Sequence, residues 1–192
     1  IDSHDTYRYL ESADGDISRL KMAVFFQMTF VGVPHIWYGD EIGMMGAHDP
    51  DCRRPFNWEY TEDLEKIALR DYYKNLIQIR KENSCLRTGS FKTLIADGMV
   101  YGYSRSDNES GIVSVLINND TISHKIEIPI KGSPVLDSRE NFPNGTLRPG
   151  TVFSVVDLLT GTPYLVDSGF LEIDLELLYF HLPMQAEVFF LL

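Results

Sequence analysis

"GVPHIWYGDEIGMMGAHDPDCRRPFNWEY", Gly32 to Tyr60, begins as an apolar run and ends as a polar loop. Within a few residues it gathers Asp40, Glu41, His48, Asp49, Asp51, Arg53 and Arg54, with Trp37 and Trp58 among them. The segment "VGVPHIWYG" is opened by Gly32 and Pro34 and closed by Gly39, a texture that predicts a short buried strand. A loop that only connects two elements needs neither tryptophan nor adjacent arginines. The stretch therefore reads as a strand that delivers a polar site.

The sequence on either side supports that reading. Upstream, Asp16 is placed to cap a helix starting at Ile17, with Leu20, Ala23, Val24, Gln27 and Met28 at helical spacing. Downstream, Thr61 is a predicted N-cap, and Leu64, Ile67, Ala68, Tyr72, Leu76 and Ile79 recur with helical period. Arg80 and Lys81 close that helix, where cations suit the dipole. Residues 1–87 thus alternate helix and strand as an α/β unit with parallel strands does. Residues 88–192 change texture. Asp97-Gly98 sits between two strand-like runs as a hairpin signal, and "GIVSVLINND", "HKIEIPI", "TVFSVVDLL", "GFLEIDLE" and "AEVFFLL" follow between turn residues. An antiparallel β-sandwich is expected there, with Lys131 to Gly150 as its longest loop.

Bulk properties narrow the function classes. Of 192 residues, 44% are hydrophobic and 23% charged, as in globular proteins. The net charge of -11 argues against duplex nucleic acid or an anionic membrane as partner. No apolar stretch approaches the ~20 residues of a membrane span. Cys52 and Cys85 are far apart, in no metal-binding spacing, and no disulfide is expected. The opening "IDSHDTYRYL" carries neither an initiator methionine nor a signal peptide. The chain is expected to be the tail of a longer protein of bacterial, cytoplasmic type, a secreted parent staying open.

His4-Asp5 in "SHDT" suits two readings: a backbone cap with a satisfied histidine, or a functional pair. A strand end, a helix and a second strand with a polar loop make one repeat of a (β/α)-barrel, whose chemistry lies at the C-terminal strand ends. On that layout His4-Asp5 and the Asp40–Arg53 loop occupy equivalent places on successive units and face one cavity.

"SHDTYR" resembles the segment after the seventh barrel strand of the α-amylase family, glycoside hydrolase family 13. "GVPHIWYGDEIG" resembles that family's eighth strand, and "HDPDCRRPFNW" the following loop of its neopullulanase, cyclomaltodextrinase and maltogenic amylase subgroup. "IRKENSCLRTGSF" is similar to the end of the eighth helix, and "VVDLLTGTPY" and "LPMQAEVFFL" to late strands of the C-terminal domain. The resemblance implies the C-terminal part of a (β/α)8 barrel over residues 1–87 and a β-sandwich over 88–192, an α/β plus all-β chain. It implies a retaining hydrolase of α-1,4 and possible α-1,6 glucosidic bonds, binding α-glucan oligosaccharides without cofactor or metal. By the same resemblance Asp5 is the aspartate that stabilises the transition state, His4 binds the same sugar hydroxyls, and Asp49 and Arg53 hold more distant sugars. A carboxylate and a guanidinium present acceptors and forked donors that match vicinal hydroxyls.

From the residues alone Asp49 also suits an Asx-Pro turn and Arg53 a surface ion pair. Asp40 and Glu41 are expected to brace the loop, Trp37 and Tyr38 to pack, and Trp58 to serve as sugar platform or lid. Asp51 and Arg54 read as solvated charges, and His35, His124 and His181 as core histidines. Retaining hydrolysis needs a nucleophilic carboxylate and a general acid, which the resemblance assigns to no residue of this chain. The remainder of the parent barrel is therefore an expected partner, and these residues alone are expected to be inactive. A non-catalytic carbohydrate-binding or scaffold module is the alternative, and a metal phosphohydrolase using His4 and Asp5 a more distant one.

Overall fold

The computed structural model describes residues 1–129, 153–166, 170–175 and 186–191. His181 and the 131–150 loop lie outside the described residues. The chain divides into two compact units, Ile1–Ile79 and Arg80–Leu192. The change of sequence texture falls a few residues later, at 87/88. Local bonding accounts for the earlier position. Ser84 Oγ donates to Asp107 Oδ2 at 2.5 Å, and Cys85 N–H to Ser110 Oγ at 2.9 Å, so the 84–85 turn belongs with the strands that follow.

The first unit is helical. It contains α1 (Tyr9–Ser12), α2 (Ile17–Thr29) and most of α3 (Leu64–Glu82), with short 3₁₀ turns at Asp40–Ile42, Asp51–Arg53 and Trp58–Glu62. Asp16 caps α2 as expected, its Oδ1 accepting from the N–H groups of Ser18 (2.9 Å) and Arg19 (3.2 Å). The start of α3 differs from expectation. Thr61 lies inside the preceding 3₁₀ turn, and Asp63 is the cap, accepting from Glu65 N–H at 3.0 Å and Lys66 N–H at 3.3 Å. The helix buries Leu69, Tyr73, Leu76 and Ile79, while Leu64 is 82% exposed. The four buried side chains of α3, with Leu10, Ala13, Leu20, Val24, Phe25, Met28, Ile42 and Cys52, make up the buried apolar set of the unit.

The expected strand at 32–39 is not formed. The first unit contains no strand among the described residues, Val33 is 95% exposed, and His35 is exposed rather than a core residue. An extended segment becomes a strand only when a neighbour takes its N–H and C=O groups. Here the segment is tied instead by a side chain, Gln27 Nε2 donating to the His35 carbonyl at 2.7 Å.

Among its described residues the second unit contains α4 (Cys85–Thr88) and eight strands: β1 (Ser90–Asp97), β2 (Val100–Asp107), β3 (Gly111–Asn118), β4 (His124–Pro129), β5 (Phe153–Asp157), β6 (Pro163–Val166), β7 (Phe170–Leu175) and β8 (Ala186–Leu191). They form two sheets, β1-β2-β3-β8-β5-β6 and β4-β7, and every described pairing is antiparallel. The Asp97-Gly98 hairpin is formed as expected. Asp97 faces Val100, and Gly98 takes φ +54°, the left-handed region that glycine enters without penalty. Gly102 is needed for a different reason. A Cβ there would lie 2.6 Å from Leu116 Cδ2 and 2.7 Å from Ile95 Cγ2, so the strand packs closely only without one. Asn118 links the sheets, donating from Nδ2 to the carbonyls of Ile122 (3.0 Å) and Leu175 (3.3 Å). His124 is half-buried and bonds Asp120 at 2.8 Å.

Among the described residues of this unit Arg105 is more deeply buried than the other buried arginine, Arg80. The Arg105 guanidinium donates to three carbonyls, Leu86 (3.0 Å), Gly89 (3.1 Å) and Ser90 (3.3 Å), and thereby holds α4 against β2. Burial lowers its tendency to hold a proton, though a guanidinium stays charged across the physiological range. Both cysteines are free, and no helix among the described residues is long and apolar enough to cross a membrane. Arg105→Ala should destabilise the chain by about 2–4 kcal/mol, because buried carbonyls lose their donors. A urea midpoint that falls at unchanged m checks this, and an unchanged midpoint contradicts it.

Candidate functional site

The polar loop is organised from beneath by Arg8. This side chain is fully buried, and its Nη1 donates to the Tyr38 carbonyl at 2.8 Å and to Asp40 Oδ1 at 3.2 Å. Its guanidinium lies 4.9 Å from the centre of the Tyr38 ring, within the range of a cation–π contact. Its backbone N–H donates to Gly46 O at 2.9 Å. One residue, three positions after Asp5, thus fastens the 38–46 loop. Arg8 Nε and Nη2 have no hydrogen-bond partner among the described residues.

Asp40 is buried beside this arginine, yet its pKa is pushed up to about 8. Loss of hydration is the largest cause, followed by a hydrogen bond to Asp2 and repulsion from its charge. The pull of Arg8 in the opposite direction is smaller. With two carboxylates in one dry site, the pull of Arg8 does not offset the loss of hydration, which favours retention of one proton between them. Glu41 acts within the same loop, its Oε2 accepting from Gly39 N–H at 2.7 Å. Asp40 and Glu41 therefore brace the loop as the sequence suggested. Asp51 and Arg54 are not merely solvated. Asp51 Oδ2 accepts from Ala47 N–H at 2.7 Å, and Oδ1 lies 2.6 Å from Arg54 Nη2. The Ala47 hydrogen bond is the main cause that holds the Asp51 carboxyl below its usual range.

On this base the four residues singled out from sequence come together. Arg53 Nη2 lies 3.1 Å from Asp5 Oδ1, and Arg53 Nε 3.0 Å from Asp49 Oδ1. Arg53 Nε also donates to the His4 carbonyl at 3.0 Å, and His4 Nε2 lies 3.0 Å from Asp5 Oδ2. The side chains remain accessible, Asp5 at 66% and Arg53 at 46% exposed. Aromatic rings flank them: Trp37 is 5.7 Å from the His4 ring, and Tyr7 meets His48 edge-on at 5.5 Å. Trp58 is 78% exposed and leans on Phe56, ring centres 4.7 Å apart. The group can accept hydrogen bonds from hydroxyls through two carboxylates and donate through Arg53 Nη1, which has no acceptor among the described residues. No set of three or more His, Cys, Asp or Glu side chains positioned to hold a metal occurs among the described residues. Nothing in the sequence marks Arg8. Arg8 carries no spacing signal, since an arginine after a turn is ordinarily solvated.

Residues 1–71 match the α-amylase catalytic domain. Over 119 residues the chain is 49% identical to a cyclomaltodextrinase of Thermoanaerobacter pseudethanolicus, a match covering 62% of this chain and 20% of that protein. Over these residues the chain is similar to the α-amylase family. A further relative, neopullulanase 2 of Thermoactinomyces vulgaris, is 44% identical over 121 residues, 62% of this chain and 20% of its own length. The crystal structure of the α-amylase from Geobacillus thermoleovorans, complexed with acarbose, has a TM-score of 0.75 at 25% identity, covering all of this chain and 38% of that one. The chain spans about a fifth of the length of the curated relatives it matches.

Asp40 makes a pH prediction. Its folded pKa lies above the unfolded value of 3.8, so between about pH 4 and 8 the folded state keeps a proton that the unfolded state releases. The stabilisation is complete below the unfolded pKa and is lost as pH rises through the folded one. Between pH 5 and 8 the thermal midpoint should therefore fall, and should fall less in Asp40→Asn. Equal slopes in the two proteins would contradict this.

Proposed function

We propose that this chain forms part of a retaining α-glucan hydrolase of the neopullulanase and cyclomaltodextrinase kind, acting on α-1,4 and in part α-1,6 glucosidic bonds. Residues 1–87 are the C-terminal portion of its (β/α)8 barrel, and 88–192 its β-sandwich domain. The observation that carries the reading is Arg53 bridging Asp5 and Asp49. Two acidic residues found in separate family-like motifs share one accessible patch through this guanidinium. The names of the similar proteins, cyclomaltodextrinase and neopullulanase 2, and the acarbose complex of a structural relative point to the same class of oligosaccharide.

The chemistry follows from the charge that develops. Cleavage of a glycosidic bond passes through an oxocarbenium-like state, and hydrogen bonds to the sugar's 2-hydroxyl strengthen as it forms. Asp5, accepting from ring hydroxyls, lowers that barrier without exchanging a proton. His4 binds the same sugar and, through Nε2, steadies the Asp5 carboxylate. Asp49 and Arg53 Nη1 take the hydroxyls of a more distant ring. The nucleophile and the general acid belong to other parts of the parent protein, which makes the remainder of the barrel an obligate partner.

In the full-length protein Asp5→Asn should lower kcat by about 10²-fold or more, the loss of a transition-state interaction of a few kcal/mol. The thermal midpoint should hardly move, and near-normal kcat in a folded variant would refute the role. Arg53→Ala should reduce kcat/KM more on maltohexaose than on maltotriose, since it removes a remote sugar contact as well as the brace on Asp5. Equal losses on both substrates would leave Arg53 as a brace alone.

A further inference from the structure

The peptide that joins His4 to Asp5 is held at both ends. Its carbonyl, His4 O, accepts from two donors on the Asp51–Arg53 turn: Cys52 Sγ at 3.2 Å and Arg53 Nε at 3.0 Å. Its N–H donates to Ser3 Oγ at 3.3 Å. Rotation of that peptide plane would swing the Asp5 side chain, because the plane sets the backbone from which Asp5 projects. Arg53 continues from the same carbonyl to the Asp5 carboxylate, whereas Cys52 ends on the carbonyl.

Cys52 differs from the other four residues in having no exposed surface. It lies behind the patch, and its own backbone is wedged in place. A Cβ on Gly46 would come within 2.9 Å of Cys52 Cα and of Asp51 O, and within 3.3 Å of Arg8 Cδ. Gly46 also accepts the Arg8 N–H at 2.9 Å, so the turn carrying Cys52 is fastened to the segment that carries Asp5 from below as well. A thiol is a weak donor and adds little binding energy. What it supplies is direction: a second donor, rooted in the interior, aimed at the one carbonyl that orients Asp5.

We propose that Cys52 is a positioning residue for Asp5, acting through the His4 carbonyl and never touching the sugar. This rests on the role of Asp5 given above. A misplacement of an ångström in a transition-state contact costs rate while leaving ground-state binding nearly intact. Cys52 should therefore appear in kcat and not in KM.

The test uses the full-length enzyme, with maltotriose and β-cyclodextrin as substrates, and the variants Cys52→Ala, Cys52→Ser and Asp5→Asn, each with its thermal midpoint. Cys52→Ala should lower kcat about tenfold with KM within about twofold of the parent. Cys52→Ser, which restores a donor at nearly the same place, should recover most of that loss even where its thermal midpoint is no higher than that of Cys52→Ala. A Cys52→Ala enzyme with unchanged kcat overturns the proposal. So does a loss of kcat that follows the thermal midpoint across both variants and is not recovered by serine, since that is the mark of a packing role. If Asp5→Asn retains normal kcat, the assignment of Asp5 itself fails, and the positioning proposal is overturned with it. A crippled Asp5→Asn beside a fully active Cys52→Ala overturns the Cys52 role alone.

Discussion

The buried contact between Arg8 and Asp40 fixes the geometry of everything above it in the first unit. A guanidinium with no exposed surface needs acceptors, and it finds them in Asp40 and the Tyr38 carbonyl, both on the loop that follows the apolar 32–39 segment. Because Arg8 follows Asp5 by three residues, the same bond sets the distance between the His4-Asp5 turn and the 38–54 loop. Removing one partner from such a pair costs about 3–5 kcal/mol, far more than the pair itself contributes, because an isolated charge remains buried. Asp2 complicates the balance by adding a second carboxylate, and the proton held at Asp40 is the consequence.

Above that base lies a second and different kind of electrostatics. Asp5, Asp49, Arg53 and His4 are all substantially exposed, so their ion pairs contribute little stability. Their value lies in orientation. Arg53 holds two carboxylates in fixed relation while both retain solvent-facing lone pairs, the arrangement a site needs to exchange water for sugar hydroxyls at small reorganisation. The dry cluster of Arg8, Asp40 and Asp2 below provides rigidity, and the wet ion pairs above leave polar groups open to solvent.

The sequence made some of this legible and hid the rest for physical reasons. Asp16 as a cap and Asp97-Gly98 as a hairpin were readable because each is decided within four residues, by one side chain or one positive φ. The convergence of His4, Asp5, Asp49 and Arg53 followed from motif resemblance, which carries three-dimensional information that spacing lacks. The strand expected at 32–39 was misread because apolar texture reports a preference for burial, whereas a strand also needs a ladder partner. The start of α3 differs because Asp63 and Thr61 are both good caps, and the buried stripe through Leu69 and Tyr73 lies beside the one expected from Ala68 and Tyr72 because adjacent apolar residues leave the phase open. Arg8 and Cys52 were invisible for a simpler reason. Nothing local distinguishes an arginine that enters the interior from one that stays in water, or a cysteine aimed at a carbonyl from one that only packs.

The central claim is that the patch around Arg53 is a glucan-binding surface with Asp5 at its chemical end. Its most direct test is a crystal structure of the full-length protein with acarbose bound. The account predicts one sugar ring hydrogen-bonded by both His4 and Asp5, and an adjacent ring within reach of Asp49 and Arg53. Acarbose bound with no ring contacting Asp5, or with Arg53 and Asp49 facing away from every ring, would contradict it.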